Sequence, residues 1–291
     1  MTNPGGAPSQ PLVSIVMPSF NQGEFIAEAI DSVLAQDYPA IEFMVIDGGS
    51  TDTTLDILRG YGDRVHWTSG PDAGQSDAIH RGFLASSGKY IAWLNSDDRY
   101  LPGAVSAAVE MLEGEPEVAL VYGNGQYIDR DGAVTKTLTE VQPWSMEQLL
   151  KSGDYVFQPS TFFRRDAYLA VGGLNLNLHY CMDYDLWIRL GAKYPVRYTS
   201  RILSQARIYS ETKSSTGGFP RLEEVDRMLR SHGGKGLPKG MRRDMYVQLR
   251  RALEGAVRSR QFLRAAGLAV RIAPYAVGAF RWKLRRLVAR R

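Results

Sequence analysis

The chain has 291 residues, of which 35 are Lys or Arg, 31 are Asp or Glu and one is a cysteine. The single cysteine, Cys181, excludes a disulfide framework and a cysteine-based zinc site within the chain, and it favours a reducing compartment. No apolar run approaches the ~20 residues of a membrane-spanning helix, so the composition is that of a globular protein rather than an integral membrane protein.

The net charge of +4 is distributed unevenly along the chain. Residues 221–291 hold 19 Lys and Arg against 5 Asp and Glu, a surplus of 14 positive charges. Residues 1–220 hold the remaining 16 against 26, an excess of 10 negative charges. An acidic body with a basic C-terminal segment indicates that the body holds something cationic and that the segment meets something anionic.

The N-terminal half of the sequence alternates between strand and helix patterns. Residues 1–11 are rich in Pro, Gly and Ser and predict a flexible leader without the apolar stretch of a signal peptide. From residue 12 onward, periodicity and turn residues predict these elements: a strand at 12–17 closed by Pro18, a helix at 24–35, a buried strand at 41–46, a helix from 51 to 59, a strand at 65–67, a helix at 73–86, a strand at 89–94, a helix at 102–113 and a strand at 118–122. This alternation predicts an α/β fold with a mostly parallel, doubly wound sheet.

The pattern changes to shorter units after residue 122. It predicts a hairpin through 131–132, a helix at 143–151, a strand at 160–163, a helix at 183–190 and a strand at 196–203. From residue 221 the sequence predicts helices rich in arginine.

Three polar clusters follow predicted strands, at 19–21, 47–49 and 96–98. Ligands of such sheets bind beyond the carboxyl ends of the strands, so we expect these clusters to converge on one site.

The third cluster ends in two adjacent acids, Asp97 and Asp98. Adjacent carboxylates repel each other and are costly beside a packed sheet. Such a pair commonly caps a turn or helix, and a predicted helix starts at Pro102. Alternatively the pair faces Mg²⁺ or Mn²⁺, which prefer oxygen ligands and are often shared with substrate phosphates. Asp47, at the end of a neighbouring strand, adds weight to the second interpretation.

Other motifs are excluded or remain ambiguous. The sequence has neither a P-loop nor a Gly-x-Gly-x-x-Gly turn after the first strand, which disfavours the usual nucleotide-binding loops. Asp183 and Asp185 precede an apolar helical stretch. One of them suits a first-turn helix acid, and the other, if it faces the cleft, is a candidate general base.

Several segments together resemble family 2 glycosyltransferases of the GT-A fold, over roughly residues 12–215. The matching segments occur in the family's order: VSIVMPSFNQGEFIAEAIDSVLAQDYPAIEFMVIDGGSTDTT (13–54), GPDAGQSDAIHRGF (70–83), WLNSDDRYLPGA (93–104), QPSTFFRRDAYLAVGGLN (158–175) and YCMDYDLWIRLG (180–191). Within the family, the chain resembles the bacterial branch that builds surface polysaccharides and other glycans.

The resemblance implies roles for individual residues. The nucleotide sugar would be bound by Pro18, Phe20 and Asn21 around the base, by Asp47 on the nucleobase, by Asp72, by Asp97 near the ribose or metal, and by Gln158 near the donor sugar or acceptor. Asp98 would be the direct metal ligand, with Asp97 beside it, and Asp183 the catalytic base. Arg207 is a further candidate for contact with the diphosphate.

One position departs from the family pattern. In QARIYSETKSS (205–215), Tyr209 stands where the family usually has a histidine before a Ser/Thr-Lys pair. If that histidine helps to hold metal or diphosphate, this chain must rely on Tyr209, Arg207 and Lys213.

The resemblance thus implies a GT-A domain over 12–220, with a nucleotide-binding half at 12–122 and an acceptor half at 123–220, followed by a basic helical extension at 221–291. We expect an inverting, metal-dependent enzyme that moves a sugar from a UDP- or GDP-linked donor to a glycan or lipid-linked saccharide. The alternative is a non-catalytic homologue that binds a nucleotide sugar, in which Tyr209 replaces the usual histidine. A sugar nucleotidyltransferase is disfavoured, because it would require a basic, Gly-rich first loop and residues 19–22 are neither.

The C-terminal residues 280–291 place Phe280, Leu284, Leu287 and Val288 on one face of a predicted basic helix. A helix packed on the domain would explain this pattern, and peripheral contact with anionic lipid is the interpretation we favour. Trp282 on the opposite face weakens it. We expect a cytoplasmic protein, peripheral on the inner face of the plasma membrane. No nucleic-acid-binding module accompanies the charge, so nucleic acid is not an expected partner.

Overall fold

The computed structural model describes residues 10–288; within that range the side chains of residues 214 and 276–288 are not described. The chain divides into two compact units. The first runs to Met146 and resumes over Tyr155–Thr212, and the second comprises Glu147–Asp154 and the chain from Lys213 onward. Most of the leader predicted over 1–11 lies outside the described residues.

The first unit contains all the strands among the described residues, and these are β1 (Val13–Ser19), β2 (Ile41–Asp47), β3 (His66–Ser69), β4 (Tyr90–Trp93), β5 (Arg99–Tyr100), β6 (Leu120–Ile128), β7 (Val134–Thr137), β8 (Thr161–Arg164) and β9 (Val196–Arg207). Its helices are α1 (Ile26–Leu34), α2 (Thr54–Tyr61), α3 (Gln75–Ala85), α4 (Ala104–Gly114), α6 (Arg165–Ala170) and α7 (Met182–Lys193). The second unit holds nearly all of α5 (Met146–Ser152), together with α8 (Lys213–Thr216), α9 (Gly218–Ser231), α10 (Lys239–Arg258) and α11 (Phe262–Val288).

Across the described residues the strands form one mixed sheet in the order β3-β2-β1-β4-β8-β6-β9-β5, with β7 paired to β6. β1 to β4 are parallel to one another, and β6 and β9 are also parallel. β8 runs antiparallel to both β4 and β6, so β6 and β9 point the same way as β1 to β4. The prediction of an α/β fold with a mostly parallel sheet is therefore confirmed.

The hydrophobic character of the strands explains why they lie in the middle of the first unit. All seven residues of β1 are buried, and so are all four of β4, as expected for parallel strands covered on both faces. α3 approaches this sheet closely at Gly82, where an added Cβ would lie 2.5 Å from Val16 Cγ1. The core of the unit therefore lies around β1 and β4, directly behind the ends of these strands.

The structure corrects several predicted boundaries. Pro18 lies inside β1 rather than ending it, because β4 pairs with β1 only as far as Val16 and leaves no ladder bond there for Pro18 to break. β9 continues to Arg207, well beyond the predicted end at 203, because β6 extends beside it. The two-residue strand β5 was not predicted, since its pairing with β9 is long-range.

Within residues 10–288, none of the helices is both long enough and apolar enough to cross a bilayer.

The close approach of α3 to β1 predicts a stability effect. We expect Gly82→Ala to lower the free energy of unfolding by about 1–3 kcal/mol, because the new methyl group would overlap Val16. The matched control is Gly60→Ala in α2, where no heavy atom lies within 4 Å of an added Cβ. That change should stabilise by about 0.5–1 kcal/mol through helix propensity. Urea denaturation of both variants measures the difference, and equal effects would contradict the packing argument.

Candidate active site

The carboxyl ends of β1 and β2 are joined by hydrogen bonds at one edge of the sheet. The backbone N–H of Gly48 donates to the carbonyl of Ser19 at 2.8 Å. The backbone N–H of Asn21 donates to Ser50 Oγ at 2.7 Å, and Asn21 Oδ1 accepts from the N–H of Thr51 at 2.9 Å. Asn21 adopts a left-handed backbone conformation with φ of 52°, which asparagine tolerates better than most residues. These bonds fix the two loops relative to each other.

The three residues predicted to line a base pocket have different environments. Phe20 is 60% exposed, so its ring presents a free apolar surface at the end of β1. Asn21 braces the loop, and Pro18 is buried within β1. Phe20 and Asn21 are thus both exposed at the end of β1, whereas Pro18 is not accessible to a ligand. Ser19 is a further polar group here, since its buried Oγ has no hydrogen-bond partner among the described residues.

Asp47 braces the loop that follows β2. Its Oδ2 accepts hydrogen bonds from the N–H of Gly49 at 3.0 Å, the N–H of Ser50 at 2.9 Å and the hydroxyl of Ser69 at 2.6 Å. Its Oδ1 accepts from the hydroxyl of Ser50. Asp47 is also only 2% exposed. Its bond to a nucleobase stays a prediction, and Oδ1, which accepts a single hydrogen bond here, is the oxygen with an acceptor position left.

Asp72 lies against the same loop. A Cβ added at Gly48 would be 2.8 Å from Asp72 Oδ2, so the carboxylate occupies space that any side chain at position 48 would need. Asp72 Oδ1 accepts from the N–H of Gly74 at 2.8 Å. Asp72, which is partly exposed, is therefore more accessible as an acceptor than the buried Asp47.

Asp97 and Asp98 follow β4, as predicted, and form a strained electrostatic pair. Asp98 is 5% exposed, whereas Asp97 is more accessible. Asp98 Oδ1 accepts the backbone N–H of Arg207 at 3.0 Å, and its Oδ2 accepts from Asn95 Nδ2 at 2.9 Å. Burial raises the pKa of Asp97, and burial together with the negative charge of Asp97 raises the pKa of Asp98 well above its usual range.

Arg207 holds this pair in place from behind. Its Nε donates to the carbonyl of Asp97 at 3.1 Å, and its Nη1 donates to the carbonyls of Asp129 at 3.0 Å and Arg130 at 2.7 Å. Its Nη2 donates to Glu28 on α1. Arg207 is only 3% exposed and these bonds engage every nitrogen of its guanidinium group, so in this structure it positions the acidic pair. Its contact with a diphosphate stays a prediction.

Tyr209 lies at the same acidic pair. Its hydroxyl donates to Asp97 Oδ2 at 3.1 Å, and its ring centroid is 5.1 Å from that of Phe25. Burial and the charge of Asp97 raise the pKa of Tyr209 to about 12, so the phenol is a neutral donor at physiological pH. The residue that departs from the family pattern therefore contacts the acidic pair directly.

Asn95 connects the remaining polar residues of the site and was not singled out from the sequence. Its Nδ2 donates to Asp98 and, at 3.2 Å, to Gln158 Oε1, while its Oδ1 accepts from Gln75 Nε2 at 2.7 Å. Gln158 in turn donates to the carbonyl of Trp93 at 3.0 Å. Gln158, predicted near the donor sugar or acceptor, is thus linked to the acidic pair through Asn95. The signal for Asn95 was its place in the same Asn-Ser-Asp-Asp run.

The two acids at the start of α7 have separate roles. Asp185 is buried and forms an ion pair with Arg189, whose Nη2 lies 2.7 Å from Asp185 Oδ2. Asp183, in the first turn, is partly exposed and accepts the N–H of Tyr184 at 2.8 Å. Of the two alternatives left by the sequence, Asp185 is the structural acid, and Asp183 is the accessible one.

Two adjacent residues of α3 connect α7 to the acidic pair. Gln75 contacts Asn95, and Ser76 Oγ donates to the carbonyl of Leu178, ahead of α7, at 2.8 Å. The segment that leads into Asp183 is therefore tied to the same edge of the sheet as Asp97 and Asp98.

The structural role of Arg207 is testable. We expect Arg207→Met to lower the free energy of unfolding by about 2–4 kcal/mol, because three part-buried carbonyl oxygens lose their donor and Glu28 keeps only its ion pair with Arg99. The control, Arg201→Met, removes only an exposed ion pair with Glu110 and should cost about 0–1 kcal/mol. Denaturation curves compare them; a variant with wild-type stability that only binds diphosphate poorly would support the direct-contact prediction.

Comparisons with known proteins agree with this geometry. The family model "Glycosyl transferase family 2" matches residues 14–170. An uncharacterized glycosyltransferase of Rickettsia prowazekii is 30% identical over 227 residues, covering 74% of this chain and 70% of the relative. Chondroitin synthase of Escherichia coli is 28% identical over 207 residues. The match covers 70% of this chain and 30% of that enzyme.

Solved structures share the fold at low sequence identity. TarS 1–349 of S. aureus, in complex with UDP-GlcNAc, has a TM-score of 0.61 at 14% identity, covering 84% of this chain and 73% of that chain. The mannosyltransferase PcManGT of Pyrobaculum calidifontis, in complex with GDP-Man and Mn²⁺, has a TM-score of 0.61 at 15% identity, with coverage of 94% and 87%. The GT-A fold is thus common to all three. With the family model matching more than half of the chain, the protein belongs to glycosyl transferase family 2 and is a glycosyltransferase.

Proposed function

We propose that this glycosyltransferase moves a sugar, with inversion, from a UDP- or GDP-linked donor to a hydroxyl of a growing glycan or lipid-linked saccharide. The observation that carries the proposal is the pair of adjacent carboxylates at the end of β4, held there by Asn95, Arg207 and Tyr209. The complexes of TarS with UDP-GlcNAc and of PcManGT with GDP-Man and Mn²⁺ support a nucleotide-sugar donor. We assign the transfer to residues 12–220 and leave 221–291 as an extension.

The acidic pair fits a hard divalent cation. Two carboxylates with oxygen donors suit Mg²⁺ or Mn²⁺, and repulsion between them is relieved by the cation's charge. Residues 10–288 contain no cluster of three or more His, Cys, Asp or Glu side chains around a common point. The protein would then supply few ligands and the substrate phosphates the others, which is the usual arrangement for Mg²⁺.

We reverse the predicted order of the two ligands. Both oxygens of Asp98 already accept hydrogen bonds from Asn95 and Arg207, whereas Asp97 is more exposed and has Tyr209 beside it. Asp97 would therefore be the direct metal ligand. Asp98 would hold the turn and add negative charge next to the metal. A cation bound there would neutralise charge on the departing nucleoside diphosphate.

Asp183 serves as the general base in this proposal. It takes the proton from the acceptor hydroxyl as that oxygen attacks the anomeric carbon from the face opposite the nucleotide. The bond to the diphosphate breaks in the same displacement, so the anomeric configuration inverts. Asp185 does not compete for this role, because Arg189 neutralises it within the unit.

The donor-binding residues divide between the two ends of the nucleotide. Phe20 offers an exposed ring for stacking and Asp72 an acceptor beside the β1 and β2 loops, which suits the base. Gln158 and Asn95 lie beside Asp98, which suits the sugar and ribose hydroxyls. Tyr209 donates to Asp97, and this contact favours an intact site over the alternative of a non-catalytic homologue.

Metal dependence is tested by calorimetry of UDP and GDP binding with and without Mn²⁺. We expect one of the two nucleotides to bind at least about tenfold more tightly with the metal, because Asp97 and the diphosphate share it. Asp97→Asn should lose most of that gain. Equal affinities of the wild-type protein in both buffers would contradict metal use, and a full gain in the Asp97→Asn variant would return the direct-ligand role to Asp98.

The base assignment is tested by Asp183→Asn. Turnover should fall by about 10²–10⁴-fold, since the acceptor hydroxyl loses its proton acceptor, while nucleotide affinity stays unchanged. Asp166→Asn is the matched control, because Asp166 is also a first-turn helix acid that accepts the next backbone N–H, at 2.7 Å. Donor and acceptor screens by mass spectrometry supply the assay. Near-normal turnover of Asp183→Asn on its true substrates would show that another group is the base.

A further inference from the structure

The second unit contains a helical hairpin whose turn is tightly fixed. α10 and α11 pack along each other and are joined by residues 259–261. The N–H of Gln261 donates to the carbonyl of Ala256 at 2.9 Å and that of Arg260 to the carbonyl of Val257 at 3.1 Å, with Arg260 at φ of 55°. This is the Schellman pattern that ends a helix, here with arginine in the position that glycine usually takes. The first turn of α11 is therefore presented in a defined orientation.

The described part of α11 exposes an apolar face. Leu263 is 94% exposed, Val270 75% and Phe262 70%. At ~100° per residue, these three and the exposed Ala266 and Ala273 fall within about 100° of the helix circumference. We call these five residues the α11 face.

The other side of α11 accounts for its packing within the unit. Ala265 and Leu268 are each 7% exposed, and they fall well outside the arc of the α11 face. The helix thus has a buried apolar side and, separately, an apolar side in contact with solvent. Exposed side chains of this size on several successive turns mark an interaction surface rather than ordinary surface scatter.

Positive charge lies at the N-terminal end of the α11 face. From Gly255 to the C-terminus the sequence has ten Lys and Arg and no Asp or Glu. Among the described residues, Arg258, Arg260 and Arg264 are exposed at the turn and the first turn of α11. Arg271 is engaged within the unit: it forms an ion pair with Glu223 and lies 4.3 Å from the ring centroid of Phe219.

We propose that the α11 face docks on an anionic lipid bilayer, with Phe262, Leu263 and Val270 in the interfacial layer and Arg258, Arg260 and Arg264 at the headgroup phosphates. An apolar helix face bordered by arginines has the composition of helices that lie in the plane of a membrane surface. A second copy of the chain would bring a matching set of cations against the first, so charge disfavours self-association through this surface. In this proposal the helix lies in the plane of the bilayer surface.

This surface differs from the one predicted at the C-terminus. The side chains of Phe280, Leu284, Leu287 and Val288, and all of residues 289–291, lie outside the described residues. The α11 face and the three arginines beside it lie within residues 258–273. The proposal therefore depends neither on residues 280–291 nor on the identity of the sugar donor.

Flotation of the full chain with vesicles tests the proposal. Wild-type protein should float with phosphatidylcholine vesicles that contain phosphatidylglycerol and far less with phosphatidylcholine alone. The triple variant Phe262→Ser, Leu263→Ser, Val270→Ser should bind on the order of tenfold or more weakly, because the apolar contact is lost. Arg258→Gln, Arg260→Gln and Arg264→Gln should each weaken binding to the anionic vesicles by about fivefold.

The matched control removes exposed apolar side chains elsewhere. Leu84→Ser, Val134→Ser and Leu169→Ser alter residues of the first unit that are 41–53% exposed and should leave flotation unchanged. Circular dichroism and thermal melting confirm that both triple variants are folded. Full binding by the α11 triple variant would overturn the proposal and leave the C-terminal residues as the lipid contact. A stable dimer that is lost in that variant, without flotation of the wild type, would overturn it in favour of a second copy.

Discussion

The buried guanidinium group of Arg207 is the constraint on which the site depends. Two adjacent carboxylates would not remain at the end of a packed strand without a positive group behind them. Arg207 supplies that group and also binds the main chain of Asp97 and the hairpin between β6 and β7. Its own backbone N–H binds Asp98, so one residue of β9 fixes both the position and the charge balance of the pair. Burial and the negative charge of Asp97 nevertheless keep the pKa of Asp98 well above its usual range.

Much of the sheet and its binding edge could be predicted from the sequence because those signals are local. Buried parallel strands appear as continuous apolar runs, and polar residues that follow them mark the carboxyl ends. The acids Asp97 and Asp183 were identified in this way and from the ordered family segments. The residue pattern alone left Asp183 and Asp185 open, and the family resemblance selected Asp183. The ion pair between Asp185 and Arg189 is what the structure adds to that choice.

Other features were beyond reach for the same physical reason. The role of Arg207 depends on contacts with residues 28, 97, 129 and 130, which are remote in the sequence. One of the hydrogen bonds that hold Asp47 comes from Ser69 of a different strand. The length of β9 depends on its pairing with β6, and the exposed side of α11 on which of its two apolar sides faces the rest of the unit. Local sequence patterns indicate the secondary structure that a segment prefers. These features depend instead on contacts with residues that are remote in the sequence.

The contact between Gly48 and Asp72 has an evolutionary consequence. The Asp72 carboxylate fills the space that a side chain at position 48 would occupy, so the two positions share one volume. A longer residue at 48 would push the Asp72 carboxylate out of its present position. The two positions should therefore change together in descent, because the loops after β2 and β3 share one volume.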